Sequence, residues 1–143
     1  MQWVAGHAEE WDAGDAYRFC IIEADRVVGL IDVDEIRSGT PHLGYWLHRE
    51  AWGRGIAKEA AARMVQFARE EASLPSLTAG HAADNPASGR VLAHAGFERV
   101  RSADAWSKPH GANVLYHFWH LSLGGWIGGR RPIEVRIVAA RKP

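Results

Sequence analysis

The sequence predicts an α+β fold with a mixed sheet, formed by one domain. Three short segments of apolar and aromatic residues come before the first long helical pattern, and the predicted order along the chain is β-β-β-α-β-α-β-β. The length of 143 residues is typical of one compact domain. Hydrophobic residues make up 47% and charged residues 24%, which excludes a disordered, collagenous or fibrous chain.

The first three strands are predicted from residue type and from breaks between the segments. Tyr17–Glu23 is rich in β-branched and aromatic residues, and a polar break at 24–26 separates it from Val27–Val33. These two segments are predicted to form a β-hairpin. The turn signal at Arg37–Pro41 is followed by the aromatic segment His42–His48, which is predicted to be the next antiparallel strand.

The first long helix is predicted after a pair of glycines, Gly53 and Gly55. Apolar residues then recur at helical spacing from Ile56 to Ala68, and the helix is expected to end near Ala72. A weaker strand is predicted over 77–83.

A shorter helix is predicted to begin at Asn85-Pro86, because Asn is a common N-cap and Pro is favoured at the first helical position. This helix should continue through His94 and stop at Gly96. Further strands are predicted over 97–101 and 113–123. Alternation over 133–139 predicts one more strand, so residues 1–123 are expected to form the domain and 124–143 a C-terminal extension.

The charge balance and the cysteine count limit the partners and the compartment. Lys plus Arg and Asp plus Glu both number 17, so no overall field attracts nucleic acid or an anionic membrane, and neither partner is expected. The single cysteine, Cys20, excludes an internal disulfide and a multi-thiolate zinc site, and no metal is predicted. Neither a signal-like start nor a run of about 18 apolar residues is present, so a cytoplasmic protein is expected.

The segment from Arg49 to Glu59 carries the clearest chemical signal. Gly53 and Gly55 let the backbone approach a ligand, and the free N–H groups at a helix start favour phosphate oxygens. Arg49, Arg54 and Lys58 can add charged contacts. A Walker loop would require Gly-Lys-Ser or Gly-Lys-Thr, which is absent, and a dinucleotide fingerprint would require a small residue at 58 and a parallel βαβ unit. A plain strand-to-helix turn remains the other interpretation.

Four motifs in order resemble the GNAT superfamily of N-acetyltransferases, in particular its RimJ/RimL-like branch, which acetylates ribosomal-protein alanine. The motifs are LGYWLH (43–48), WGRGIAKEA (52–60), NPAS (85–88) and HAGFE (94–98), and the resemblance covers about residues 16–123. It implies a GNAT-like fold, with a mixed, mostly antiparallel, twisted sheet flanked by helices. Relatives usually carry a first strand and one or two helices before this point. We therefore expect a shortened start, with Met1–Asp15 as the remnant of the second helix.

The resemblance implies that acetyl-CoA binds along the loop before the long helix, with no metal. In the family's loop pattern, Trp52 stands where Arg or Gln is usual, whereas Gly55 and Ala57 match. Asn85 and Ser88 match the family's Asn-x-x-Ser element beside the pantetheine arm and the thiol. The implied coenzyme contacts are Leu47, His48, Trp52, Gly53, Arg54, Gly55, Ile56, Ala57, Lys58, Asn85 and Ser88.

The catalytic candidates are Ser88, His42 and Asp104. Ser88 is a plausible proton donor to the departing thiolate, although Asn85 and Ser88 also fit an ordinary helix cap. His42 stands where many relatives place a Glu general base, and it also fits a histidine at a strand edge. Asp104 is the second candidate base, and Asp32 and Asp34 are the third.

The strand residues Tyr45 and Trp46 match the branch's Gly-Tyr-Trp pattern. Alternation places them on opposite faces, one in the core and one beside the acceptor.

The resemblance implies an acetyl-CoA-dependent N-acetyltransferase. Acetyl would pass directly to a primary amine, either a protein N-terminus or a small-molecule amine, in a ternary complex without a covalent enzyme intermediate. A non-catalytic acyl-CoA-binding or interaction protein is the alternative. The predicted strand at 133–139 could cover the sheet edge left by the shortened start, within one chain or by exchange in a homodimer.

Overall fold

The structure is a computed structural model that describes residues 2–124, with side chains from His7 onward. A six-stranded sheet has the order β1-β2-β3-β4-β6-β5. Every neighbouring pair is antiparallel except β3 and β4, which run parallel. The predicted α+β fold with a mixed, mostly antiparallel sheet is confirmed. The elements are α1 (Gln2–Ala13), β1 (Tyr17–Glu23), β2 (Arg26–Asp34), β3 (His42–Leu47), a 3₁₀ turn (Arg49–Ala51), α2 (Ile56–Glu70), β4 (Ser76–Ala82), α3 (Pro86–His94), β5 (Glu98–Ser107) and β6 (Ala112–Ser122).

The structure differs from the sequence prediction in the length of β5 and leaves one predicted strand untested. The segment before β1 forms the helix α1, in keeping with the expected helical remnant, and β5 continues to Ser107 instead of ending at Arg101. A bulge between Arg99 and Arg101 breaks the alternation of β5, and the strand is exposed along most of its length, which hides the pattern. The predicted strand at 133–139 lies outside the described residues.

The hydrophobic core lies between one face of the sheet and the helices α2 and α3. Alternate residues of the strands point into it, and Val33, Met64 and Leu77 are fully buried. The helix α1 closes the core near the start of β1, where the Trp11 ring packs edge-on to Tyr17 and Phe19 at 5.0 and 5.1 Å between ring centroids. The opposite face of the sheet carries none of the three helices of residues 2–124 in its centre; we call it the open face.

The parallel strands β3 and β4 separate soon after they begin. Their ladder in the described chain consists of the pair His42 and Thr78, and the Thr78 N–H donates to the Pro41 carbonyl at 2.7 Å. Beyond this point β3 continues to Leu47 and β4 to Ala82, and the two strands form no further pair with each other. This separation leaves room between the two strands at the end where α2 and α3 begin.

No helix among the described residues is long and apolar enough to cross a membrane.

Candidate functional site

A cleft of about 580 Å³ lies where β3 and β4 have separated, at the end where α2 and α3 begin. Its walls are the end of β3, the loop before α2, and the first turns of α2 and α3. The structure brings together nine of the eleven predicted coenzyme contacts. The lining residues are Tyr45, Trp46, Leu47, Ala51, Trp52, Gly53, Gly55, Ile56, Ala57, Lys58, Asn85, Ala87, Ser88, Arg90 and Val91.

The remaining two predicted contacts, His48 and Arg54, are not among these lining residues. The Arg54 guanidinium makes a bidentate ion pair with the Glu23 carboxylate, and both N–O distances are 2.7 Å. This pair joins the loop before α2 to the end of β1. Arg49 instead lies over the Trp52 ring, with its guanidinium carbon 5.9 Å from the ring centroid.

The loop before α2 presents backbone N–H groups to the cleft. Gly55 is the N-cap of α2 at φ +78°, and Gly53 has φ +72°, a conformation that glycine adopts without strain. No side chain among the described residues caps this helix end. The first N–H groups of α2 therefore remain available to an anion, and the helix dipole favours negative charge there.

Trp52, at the position where the resemblance implies Arg or Gln, has a side chain that fixes the loop. Its indole N–H donates to the Leu47 carbonyl at 3.0 Å, while 61% of the residue stays exposed. The hydrogen bond holds the loop against the end of β3. Because the free N–H groups belong to the backbone, a tryptophan at this position is compatible with an anion site.

Hydrogen bonds converge on Ser88 at the other side of the cleft. Asn85 is the N-cap of α3, and its Oδ1 accepts from the Ser88 N–H at 3.3 Å. The Ser88 Oγ accepts from the Asn85 amide at 3.0 Å and from the Tyr45 hydroxyl at 3.1 Å. A serine oxygen has two acceptor lone pairs, and these contacts occupy both. The hydroxyl proton of Ser88 is thereby left to donate to a further group.

The Tyr45 phenol acts as a donor in this network at neutral pH. Burial raises its pKa above the usual value, and the hydrogen bond to Ser88 opposes this rise in part. Tyr45 packs against the core and reaches Ser88, whereas Trp46 is 55% exposed. The two side chains therefore point to opposite faces of β3, as predicted. Both residues line the cleft.

The three predicted catalytic residues occupy different places. Ser88 lines the cleft, whereas His42 lies at the start of β3, with its Nδ1 3.3 Å from the Thr78 hydroxyl. Strand pairing places His42 and Asp34 on the open face, together with Asp32. Asp104 is opposite Leu115, and the register places it on the face that carries the helices. His42 and Asp104 therefore project from opposite faces of the sheet.

Acidic side chains accompany His42 on the open face. Burial raises the pKa of Asp32, with the nearby Asp34 carboxylate contributing in the same direction, while the Arg18 and His42 charges and a hydrogen bond from the Gly44 backbone oppose the rise. The Arg18 guanidinium Nε is 3.7 Å from Asp32 and also pairs with Glu10. No cluster of His, Cys, Asp and Glu suited to a metal ion occurs in residues 2–124.

Residues 1–98 match the model of the acetyltransferase (GNAT) domain. The chain belongs to the GNAT family. It is 33% identical over 101 residues to a probable N-acetyltransferase, YjcK, of Bacillus subtilis, a match that covers 67% of this chain and 56% of the relative. The chain spans between 56% and 63% of the length of the curated relatives it matches.

Solved GNAT structures share the fold. The ribosomal-protein-S5-alanine acetyltransferase of Vibrio fischeri superposes with a TM-score of 0.81 at 20% identity, covering 89% of this chain and 72% of that one. RimL, the ribosomal L7/L12 α-N-protein acetyltransferase solved with coenzyme A, gives 0.73 at 20% identity, covering 85% and 70%. The predicted family is confirmed, and RimL-type enzymes are among its structural neighbours.

Sequence reasoning missed several residues that this GNAT chain places in the cleft. Ala87, Arg90 and Val91 line it from α3, and Ala51 lines it from the 3₁₀ turn. Helical spacing carried a signal for α3, because positions three and four after Ala87 lie on the same face of the helix. The contact of Tyr45 with Ser88 carried no signal, because 43 positions separate the two residues.

Proposed function

We propose that this chain transfers acetyl from acetyl-CoA to a primary amine. The observation that carries the proposal is the hydrogen-bond arrangement of Ser88. Both lone pairs of its oxygen are occupied, and its proton is free to donate into a cleft whose other end offers uncapped helix N–H groups. An anion site and a proton donor in one cleft match the two ends of an acyl-CoA thioester.

The residues of the cleft fit acetyl-CoA in size and chemistry. A volume of about 580 Å³ lies within the usual range for cofactor sites. The backbone N–H groups from Gly55 to Lys58, with the Lys58 ammonium, suit the pyrophosphate. Leu47 at the end of β3 and Val91 on α3 supply apolar walls for the pantetheine arm, which would lead to Asn85 and Ser88.

The chemistry requires one proton to leave the amine and one to reach the sulfur. When bound, acetyl-CoA supplies a thioester carbonyl carbon that accepts the lone pair of a neutral amine; the C–N bond forms and the C–S bond breaks. Ser88 donates a hydrogen bond to the leaving thiolate, which takes its proton from solvent, so the hydroxyl is unchanged at the end of the cycle. The Tyr45 hydroxyl and the Asn85 amide, which both donate to Ser88 Oγ, polarise this hydroxyl and strengthen its donation to the sulfur.

His42 is the proposed acceptor of the amine proton. It lies on the open face, where Asp34 is its partner in the strand pairing and Asp32 lies on the same face of β2. Asp104 on the opposite face is the alternative base. A route through a covalent enzyme intermediate is not proposed, because Cys20 lies on β1, which is separated from β3 by β2, and is not among the lining residues.

The acceptor is proposed to be a protein N-terminus or a small-molecule amine, in the cytoplasm.

We further propose that residues 1–123 are the acetyltransferase domain and 124–143 an extension. Its segment 133–139 would pair with the edge strand β1, within one chain or in a homodimer. Deleting 124–143 should then lower the melting temperature markedly, and an unchanged value would refute the pairing.

Two measurements test the proposed function. Calorimetry with coenzyme A tests the cleft, and acetyl-CoA consumption with a panel of peptide N-termini and small amines tests the transfer. Binding together with turnover on at least one amine is expected. Binding without turnover on any amine would favour a non-catalytic acyl-CoA-binding protein, and absence of binding would refute both functions.

A further inference from the structure

A line of hydrogen bonds joins Ser107, His110 and Asp84 outside the cleft. The Ser107 hydroxyl is 2.7 Å from His110 Nδ1, and His110 Nε2 is 2.7 Å from Asp84 Oδ2. Ser107 ends β5, His110 belongs to the turn between β5 and β6, and Asp84 lies between β4 and α3. The line therefore crosses between two separate loops of the chain.

One neutral tautomer of His110 satisfies both contacts. Its Nε2–H donates to the Asp84 carboxylate, and its Nδ1 accepts from the Ser107 hydroxyl. Ser107 is only 1% exposed, so its oxygen cannot reach a substrate as a nucleophile. Although these three residues resemble a catalytic triad in type, they support the fold and do not form a hydrolytic site.

The loop that this line holds is the one that carries the Ser88 network. Asp84 directly precedes Asn85, the N-cap of α3. The backbone fixes the loop through hydrogen bonds from Ala83 N–H to the Leu115 carbonyl and from Asn85 N–H to the Ala82 carbonyl, at 2.8 and 3.0 Å. His110 adds the side-chain tie between this loop and the β5–β6 turn.

The β5–β6 turn is a firm support for that tie. The Ser107 carbonyl accepts from the N–H groups of both His110 and Gly111, at 3.1 and 2.8 Å, and Gly111 adopts φ +62° to close the turn. With the Ser107 hydroxyl also bonded to its ring, His110 is fixed at both the backbone and the side chain. A fixed imidazole can hold Asp84 in one place.

We propose that Asp84 and His110 are positioning residues, which keep Asn85 and Ser88 aligned with the thioester through the loop before α3. The catalytic part of this inference rests on the proposed function. A small displacement of Ser88 would lengthen its path to the leaving sulfur, while the backbone N–H groups of α2 that hold the phosphates would be unaffected.

Asp84→Ala tests the catalytic part. We expect kcat to fall about tenfold because Ser88 is displaced, while the Kd for coenzyme A changes less than about threefold. Asp84→Asn should restore most of kcat, since its Oδ1 can still accept from His110 Nε2–H. Ser102→Ala is the matched control: its hydroxyl is also 2.7 Å from a histidine, His117 Nδ1, on the same pair of strands, but the contact does not involve the loop before α3. It should behave as wild type.

Amide hydrogen exchange without ligand tests the structural part independently of activity. In Asp84→Ala the amides of residue 85 and of residues 87–90 should exchange faster than in wild type, and in Ser102→Ala they should not. Unchanged exchange in Asp84→Ala would overturn the proposal. Faster exchange with an unchanged kcat would overturn the positioning role. If the wild-type chain acetylates no amine, the proposed function fails, and the exchange result still decides whether His110 and Asp84 order the start of α3.

Discussion

The hydroxyl of Tyr45 on β3 donates to Ser88 Oγ on α3 at 3.1 Å, across the gap that the separating strands leave. Tyr45→Phe removes this donor and keeps the ring that packs against the core. We expect kcat for acetyl transfer to fall about tenfold, because the Ser88 hydroxyl loses one of the two donors that strengthen its hydrogen bond to the leaving thiolate. Steady-state kinetics with acetyl-CoA measures the effect, and the melting temperature should change little.

Tyr17→Phe is the matched control for this prediction. Tyr17 packs against Trp11 and Phe67 at the α1 end of the core, and it does not line the cleft. It should keep the wild-type kcat. An equal loss of kcat in both variants would show that Tyr45 acts through the core and not through Ser88.

Gly55→Ala tests the loop before α2. At φ +78° an alanine is strained by about 1–2 kcal/mol, and its Cβ meets no protein atom within 4 Å. Gly55 lines the cleft, so the added methyl group would stand in open space next to the free N–H groups of the helix start. We expect a modest loss of stability together with a loss of coenzyme A affinity of at least about tenfold, measured by calorimetry.

Gly39→Ala provides the comparison, because Gly39 has φ +84° and an equally open Cβ position in the loop between β2 and β3. It should lose similar stability and keep the affinity for coenzyme A. Equal affinities in the two variants would contradict the assignment of the Gly55 loop as the phosphate site.

The Gly55 loop and the contact of Tyr45 with Ser88 also show what the sequence could and could not predict. The bounds of β1 and the Asn85 cap of α3 follow from local signals, namely β-branched runs and an Asn-Pro step, and both match the structure. The GNAT motifs located the Gly55 loop and Ser88 in one cleft. The Tyr45 contact and the tie from His110 to Asp84 depend on strand separation and on loops distant in sequence, which no local pattern encodes.

Leu77→Ala tests the core under β4. Leu77 is fully buried in the centre of the sheet, between the strands that frame the cleft and the helices above them. The free energy of unfolding should fall by about 2–5 kcal/mol, since the truncation removes buried apolar surface and leaves a cavity. Urea unfolding measures the loss. A change below about 1 kcal/mol would show that the site collapses freely and that the core is less tightly packed than described.

Asp32→Asn should stabilise the fold at neutral pH. Because burial and Asp34 raise the pKa of Asp32 in the folded state, folding favours its protonated form. The contribution of Asp32 to stability is therefore fully present below its unfolded-state pKa of 3.8. It is lost as the pH rises through the higher pKa of the folded state. Asparagine stays neutral, so the gain in melting temperature over wild type should be largest near pH 7.

The same comparison at acidic pH checks the sign. The gain of Asp32→Asn should shrink as the pH falls toward the ordinary aspartate range. Asp25→Asn in the exposed β1–β2 turn, where φ of +61° suits asparagine, should show no such gain. A lower melting temperature of Asp32→Asn at pH 7 would mean that the ion pair with Arg18 outweighs the cost of burial.

His42→Gln and Asp104→Asn separate the two candidate bases, which project from opposite faces of the sheet. A glutamine at 42 can still hydrogen-bond the Thr78 hydroxyl, which is 3.3 Å from the imidazole, but it cannot accept the amine proton. We expect kcat to fall by about 10²–10⁴-fold at pH 7 with coenzyme A affinity unchanged, as is typical for loss of a general base. Asp104→Asn should retain activity. The reverse result, with His42→Gln active and Asp104→Asn inactive, would place the acceptor amine on the helix-bearing face, and activity in both variants would assign the proton transfer to water.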